Sequence, residues 1–295
     1  MGPVETCGGD HQSLLPPPPF VPGRRTKAGA DGATYTSPMP MNVFITGASS
    51  GIGEALAKEF ASRGATLGLV ARRREALDAL AAALPGTHHV YAVDVTDKDA
   101  LIAAGRAFEQ AAGGVDIVIA NAGISVGVKT EYYEDLAQFE RVMATNVLAM
   151  ASTFHPFIAR MKSVRRGTLV GIASVAGVRG LPGSDAYCAS KAAAITYLES
   201  LRVEMARHHV KVVTISPGFI RTSLTAKNPY RMPFLMDAAD FAPRAVDAIL
   251  AGVRYRTIPW QMGVVTTALR LLPRGLFDRL VANRRQKPRA AARPG

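Results

Sequence analysis

Thr46-Gly-Ala-Ser-Ser-Gly-Ile-Gly53 decides how this sequence folds. It follows a short apolar run, Met41-Asn-Val-Phe-Ile-Thr46, and opens an alanine-rich segment, Glu54-Ala-Leu-Ala-Lys-Glu-Phe-Ala61. The apolar run reads as a strand and the alanine-rich segment as a helix, so the glycines sit at a strand-to-helix turn. The first N–H groups of a helix lack intrahelical partners, and the positive end of its dipole faces outward. Such a turn suits an anion, phosphate above all, and glycine lets the backbone approach it closely. The spacing of Gly47, Gly51 and Gly53 is Gly-x-x-x-Gly-x-Gly. On the motif alone, a tight loop without a ligand stays open as the alternative.

Outward from this turn, short apolar runs alternate with helical segments. Strands are expected over 42–46, 66–70, 89–93, 116–120, 168–172 and 211–215, and helices over 52–63, 73–83, 97–111, 132–162 and 187–207. Such alternation predicts an α/β fold, a doubly wound parallel sheet in a single Rossmann-fold domain, with helices on both faces. Three segments follow. Residues 1–40, with Pro16 to Pro19 in a row, form an expected disordered extension, the native start being placed at Met39 or Met41. Residues 41–255 form the folded domain, and residues 256–295 a basic amphipathic C-terminal extension.

The composition fits a globular chain: 295 residues, 48% apolar and 20% charged. Two cysteines, Cys7 and Cys188, cannot build a disulfide framework, which points to a reducing compartment. The net charge of +12 is concentrated at one end: residues 254–295 carry nine arginines and Lys287 against Asp278 alone. No base-reading motif accompanies that charge, so nucleic acid is not expected as a partner. No secretory signal or run of 18 uncharged apolar residues is visible, and a cytoplasmic location is expected. No His/Cys/Asp/Glu spacing suits a metal, and His155, His208 and His209 read as bystanders.

The second predicted strand runs into Ala71-Arg72-Arg73-Arg74. In dinucleotide folds an acid at this strand end takes the ribose 2′-hydroxyl, whereas arginine accommodates a 2′-phosphate. Ala71 stands where the acid would be, and Arg72 follows, its planar fork matched to phosphate. NADP(H) is therefore expected over NAD(H), with Arg72 as its contact.

With those residues in place, the chain resembles the short-chain dehydrogenase/reductase family, in its Tyr-x-x-x-Lys branch, from about Met41 to Gly252. Gly47, Ser49, Ser50, Ile52 and Gly53 match the glycine motif, and Asp94-Val95 the pair that brackets adenine. Asn121-Ala122-Gly123 matches the Asn-Ala-Gly motif, Ala120 replacing the more frequent asparagine before it. Asn146 matches the helix asparagine, and Ser174, Tyr187 and Lys191 the catalytic set. Pro217-Gly218, Ile220 and Thr222 match the segment that closes over nicotinamide. The resemblance implies a catalytic group of Ser174, Tyr187, Lys191 and Asn146, cofactor contacts along the remaining positions and again at Tyr187 and Lys191, and a homodimer or homotetramer.

The chemistry of those residue types agrees. Reduction of a ketone needs a hydride donor, a proton donor and a group that polarises the carbonyl oxygen. Tyr187 and Lys191 are four apart on a predicted helix and share a face. A neighbouring ammonium favours the phenolate and is expected to lower the tyrosine pKa. Ser174 is expected to hydrogen-bond the substrate oxygen, and Asn146 to complete a proton relay through water. Alone, Tyr187 and Lys191 would be an ordinary surface pair; in the family's order with Ser174 and Asn146 they form a constellation. Asn121 is expected to tie strand ends together, and Cys188 to pack rather than react.

The expected activity is hydride transfer between nicotinamide and an alcohol/carbonyl pair, the alternative being a non-catalytic redox sensor. Val178, Leu181, Pro182, Met232, Phe234 and Leu235 fall in the variable loops and point to an apolar small-molecule substrate. Leu269, Leu272, Leu276 and Leu280 recur at helical spacing among Arg270, Arg274 and Arg279, interrupted by Pro273 and Gly275. That segment is expected to pack on the core or a second subunit, or to lie at a membrane interface.

Overall fold

The computed structural model describes residues 41–226 and 228–289. The extension expected over residues 1–40 and the last residues of the chain lie outside the described residues.

The chain alternates β1 (Asn42–Thr46), α1 (Gly51–Ser62), β2 (Thr66–Ala71), α2 (Arg74–Ala83), β3 (His88–Ala92), α3 (Lys98–Ala111) and β4 (Ile117–Ala120). It continues with α4 (Tyr133–Met143), α5 (Ala149–Val164), β5 (Thr168–Ile172), α6 (Asp185–Ala206) and β6 (Lys211–Pro217). A short pair, β7 (Ile220–Arg221) and β8 (Met236–Asp237), precedes α7 (Ala238–Ala251), β9 (Tyr255–Ile258), α8 (Trp260–Leu271) and α9 (Arg274–Val281). Seven strands form one parallel sheet in the order β3-β2-β1-β4-β5-β6-β9. Strands that are buried on both faces read as continuous apolar runs: every residue of β4 is buried, as is all of β1 and β5 beyond the first residue.

Two apolar layers cover the sheet. On one face Leu56, Phe60, Leu77, Phe241 and Val246, from α1, α2 and α7, pack on Ile45, Leu69 and Val213. On the other, Leu101, Phe108, Phe154, Phe157 and Leu198, from α3, α5 and α6, pack on Phe44, Val118 and Leu169. The run Tyr133–Val164 has the length and hydropathy of a membrane span, yet Met150, Phe154, Phe157 and Met161 spend its apolar face on this second layer.

The helix expected over 132–162 is interrupted by one π-helical turn, Ala144–Leu148, which carries Asn146. The expected C-terminal extension begins inside the sheet: β9 pairs in parallel with β6, Thr214 opposite Tyr255 through Pro217 opposite Ile258. Pro273 breaks the following helical segment into α8 and α9 because its ring fixes φ and it lacks an N–H. The strand order reverses between β1 and β4, and the crevice outside their carboxyl ends is where open α/β sheets take ligands.

Candidate active site

The glycine turn after β1 is a fixed cradle. Gly47 (φ +69°) and Gly51 (φ +59°) occupy left-handed backbone that a side chain would strain. A Cβ on Gly53 would collide with the Gly47 carbonyl and the Asn121 amide. Ser50 is the N-cap of α1 and spends no side-chain hydrogen bond there, and Ile52 packs on the core from the first turn. The buried Thr46 hydroxyl accepts from the backbone N–H groups of Asn121 (3.1 Å) and Ala122 (3.3 Å). Asn121 Nδ2 donates back to the carbonyls of Thr46 (2.9 Å) and Gly47 (3.3 Å). The ends of β1 and β4 are thereby tied together.

At the end of β2, Arg72 is largely exposed, its Nη1 3.9 Å from an Asp94 carboxylate oxygen. Asp94 accepts from the Thr96 N–H (3.0 Å) and hydroxyl (2.8 Å); those bonds, with Arg72 beyond, hold its pKa below the ordinary value. Val95 beside it is buried. Arg73, the next residue, donates to the carbonyl (3.2 Å) and hydroxyl (3.3 Å) of Ser49. Two guanidinium groups therefore flank the corner between the glycine turn and β2, where Arg72 alone was expected.

Ser174, Tyr187 and Lys191 converge beyond the ends of β4 and β5. Ser174 follows β5, buried, with its hydroxyl accepting from the Ala176 N–H (3.1 Å). Lys191 is buried on α6, one turn beyond Tyr187, with Nζ 6.0 Å from the phenol ring centre. Its ammonium donates to the Ile172 carbonyl at 2.7 Å, and burial lowers its pKa to about 8. Burial raises Tyr187 to about 12, against an opposing hydrogen bond with Ser174. This reverses the sign expected from the sequence. The ammonium is committed to a carbonyl and is itself desolvated, so removal of the phenol from water is the larger effect. Tyr187 is thus a neutral phenol at neutral pH.

Asn146 is buried and fully engaged by protein. Its Oδ1 accepts from the Ile124 N–H (2.8 Å), and its Nδ2 donates to the Ile124 carbonyl (3.0 Å) and to Ser190 Oγ (2.9 Å). Ser190 donates in turn to the Tyr187 carbonyl (2.8 Å). Asn146 therefore pins the loop after β4 to the turn of α6 that bears Tyr187, a linkage for which the sequence offered no signal at Ser190. A Cβ on Gly123 would lie 3.2 Å from Asn146 Oδ1 and 3.6 Å from Lys191 Nζ, so the Asn-Ala-Gly segment passes directly over these groups.

Beyond β6, Pro217 is buried, the Gly218 N–H donates to the Ile258 carbonyl (2.8 Å), and Ile220 is buried in β7. Thr222 reaches the glycine turn: a Cβ on Gly51 would lie 3.0 Å from its methyl group. Cys188 is free and buried, and burial raises its pKa, as expected of a packing residue. Of the expected substrate-side residues, Val178, Leu181, Pro182, Met232 and Leu235 are half-buried, whereas Phe234 is exposed.

The sequence pattern of the short chain dehydrogenase family matches residues 41–232. An uncharacterized oxidoreductase of Myxococcus xanthus is 40% identical over 237 residues, 79% of this chain and 93% of its own length. Among solved structures, a short-chain dehydrogenase from Sphingobium yanoikuyae in complex with NADPH aligns with a TM-score of 0.69 at 27% identity, covering 86% of this chain and 98% of that one. A 3-ketoacyl-(acyl-carrier-protein) reductase from Brucella melitensis complexed with NADH aligns with a TM-score of 0.67 at 24% identity, covering 74% and 96%, a likeness of fold. With a doubly wound parallel sheet and this match over most of its length, the chain belongs to the short-chain dehydrogenase/reductase family of nicotinamide-dependent oxidoreductases.

Proposed function

We propose that this oxidoreductase reduces a carbonyl compound at the expense of NADPH, with Tyr187 as the proton donor. The single observation that carries the reading is the convergence of buried Ser174 and Lys191 on half-buried Tyr187, whose phenol desolvation keeps protonated. Bound nicotinamide would supply the hydride. Ser174 would hydrogen-bond the substrate oxygen, Tyr187 would deliver its proton to that oxygen, and Lys191 would stand beside the resulting phenolate and anchor the nicotinamide ribose. A neutral phenol is the form an acid needs, which favours reduction over oxidation near pH 7. Gly47, Ser49, Ser50 and Gly53 would cradle the pyrophosphate, Asp94 and Val95 would bracket adenine, and Pro217 to Thr222 would cover nicotinamide.

The choice of NADP(H) rests on Arg72 and Arg73, two planar donors at the β2 corner with no acid between them and the glycine turn. The substrate is taken to be largely apolar, on the half-buried side chains of the loops after β5 and β6. Assembly into two or four copies is proposed on the family's habit and on Leu148, Val164 and Val203, exposed on and around α5 and α6. A cytoplasmic location is proposed, with membrane contact through α8 and α9, where Trp260, Leu271 and Leu280 face solvent beside Arg270, Arg274 and Arg279.

The test is NADPH consumption, followed by its absorbance, against ketones, aldehydes, steroids and long-chain acyl compounds. Tyr187→Phe is expected to lower turnover by at least ~10²-fold while NADPH affinity survives. Tight NADPH binding with no turnover across the panel would favour the redox-sensor alternative.

A further inference from the structure

The chain after α9 crosses back over the site. Arg289 Nε and Nη2 donate to the buried carboxylate of Asp135 at 2.7 and 3.1 Å, and its guanidinium stacks on Tyr132 at 3.3 Å. Gly127 pairs with Arg289 in an isolated parallel bridge, and any side chain at 127 would strike the carbonyls of Lys287 and Pro288. Gly183, in the loop after β5, likewise leaves room for Gln286. The segment Arg284–Arg289 is thus clamped across the loops that follow β4, β5 and β6.

Two cations on this strap face inward. Lys287 Nζ donates to Ser125 Oγ (2.9 Å) and to the Leu224 carbonyl (3.4 Å). Ser125 lies two residues beyond Gly123, which adjoins Lys191, and Leu224 two residues beyond Thr222. The ammonium therefore bridges the two segments that flank the cleft, with one proton left over. The Arg284 guanidinium stacks on Tyr230 at 4.5 Å, and Tyr230 is near enough to Tyr187 to bear on its titration. Among the described residues neither cation has a carboxylate partner, in contrast to Arg289 on the same strap. Burial also lowers the Lys287 pKa, as befits a cation removed from water without a counter-ion.

We propose that the strap Arg284–Arg289 is a wall of the substrate cleft, and that Lys287, with Arg284, receives an anionic group carried by the carbonyl substrate. The group is a carboxylate, phosphate or sulfonate at the end of an otherwise apolar molecule. The inference rests on the carbonyl-reduction reading above, which it deepens by naming a substrate class. The clamp at Asp135 holds the strap, so loss of the Lys287 charge leaves its backbone docked.

The probes are 4-formylbenzoate and 4-formylbenzamide, equal in shape and different in charge. A charge-assisted hydrogen bond predicts that kcat/KM favours the carboxylate by roughly tenfold or more. Lys287→Gln should bring the ratio near unity, and Lys287→Glu should invert it. A ratio unaffected by Lys287→Gln, or an equal loss on both aldehydes from undocking of the strap, overturns the proposal. A binding arm separates the two readings: 4-formylbenzoate is titrated calorimetrically into NADPH-loaded Tyr187→Phe, with and without Lys287→Gln. If neither aldehyde is turned over but carboxylate binding weakens at least tenfold with Lys287→Gln, the anion site stands and carbonyl reduction falls. Absent binding, or binding indifferent to Lys287, overturns the anion site.

Discussion

Lys191→Met is expected to make the protein more stable and inactive, with a stability gain that depends on pH in a defined direction. The Lys191 pKa is lowered from 10.5 to about 8 in the folded chain, with burial as the cause. A lysine whose folded pKa is depressed costs stability. That cost is fully present below the folded pKa and is relieved as pH rises from about 8 towards 10.5, because over that window the unfolded chain binds the extra proton. At about 1.36 kcal/mol per pH unit, the penalty is roughly 3 kcal/mol at pH 7 and roughly 1 kcal/mol at pH 9.5. Methionine keeps the aliphatic stem but abandons the Ile172 carbonyl, which now accepts at 2.7 Å, a loss of about 1 kcal/mol. The net gain is therefore about 2 kcal/mol at pH 7 and near zero at pH 9.5. Urea unfolding of wild type and Lys191→Met at both pH values, without cofactor, measures it, since all other titrating groups cancel in the difference. A methionine variant less stable than wild type at pH 7, or a gap that does not shrink at pH 9.5, would refute the assignment of a desolvated ammonium.

Thr46→Val should destabilise by about 1–3 kcal/mol in urea unfolding, because the N–H groups of Asn121 and Ala122 lose their shared acceptor at the buried junction of β1 and β4. Arg72→Ala and Arg73→Ala should each weaken NADPH roughly tenfold by calorimetry while leaving NADH within a factor of about two, as expected of lost charge-assisted bonds to a 2′-phosphate. The kcat/KM for NADPH reports the free enzyme and should fall above about pH 8 as Lys191 loses its proton, with Lys191→Arg moving that limb upward. Replacing Trp260, Leu271 and Leu280 together by Asn should abolish salt-sensitive co-sedimentation with anionic liposomes; partitioning equal to wild type would refute membrane contact.

Local signals carried most of the fold and much of the candidate site. Gly47, Gly51 and Gly53 were legible because a positive φ or a close approach leaves few alternatives to glycine, and the apolar runs of β1, β4 and β5 because parallel strands are buried on both faces. Contacts between distant parts of the chain were not legible. Arg289 meets Asp135 across 154 positions, and nothing in either neighbourhood announces the pair. The basic C-terminal end reads as a segment packed on the core, a second subunit or a membrane, and nothing local shows that its first residues are a strand or that Lys287 and Arg289 meet Ser125 and Asp135. Ser190 was invisible for the same reason, since its role is defined only by Asn146 on a π-helical turn.

The sign of the Tyr187 shift has the same origin and bears on mechanism. Spacing along a helix puts an ammonium beside a phenol, and at that level only the charge between them can be weighed. Packing then removes both groups from water and gives the ammonium a carbonyl partner, so desolvation raises the one and lowers the other. A site that simply paired Lys191 with a phenolate would hold the base needed for alcohol oxidation. On the proposed reading, the packed site would hold a proton on Tyr187 until a carbonyl oxygen drew it off, and Lys191 would gain a phenolate neighbour only as that proton left. The same packing that costs stability at Lys191 keeps the proton on Tyr187, the form the proposed reduction would need, so replacement of Lys191 is expected to raise stability and abolish turnover together.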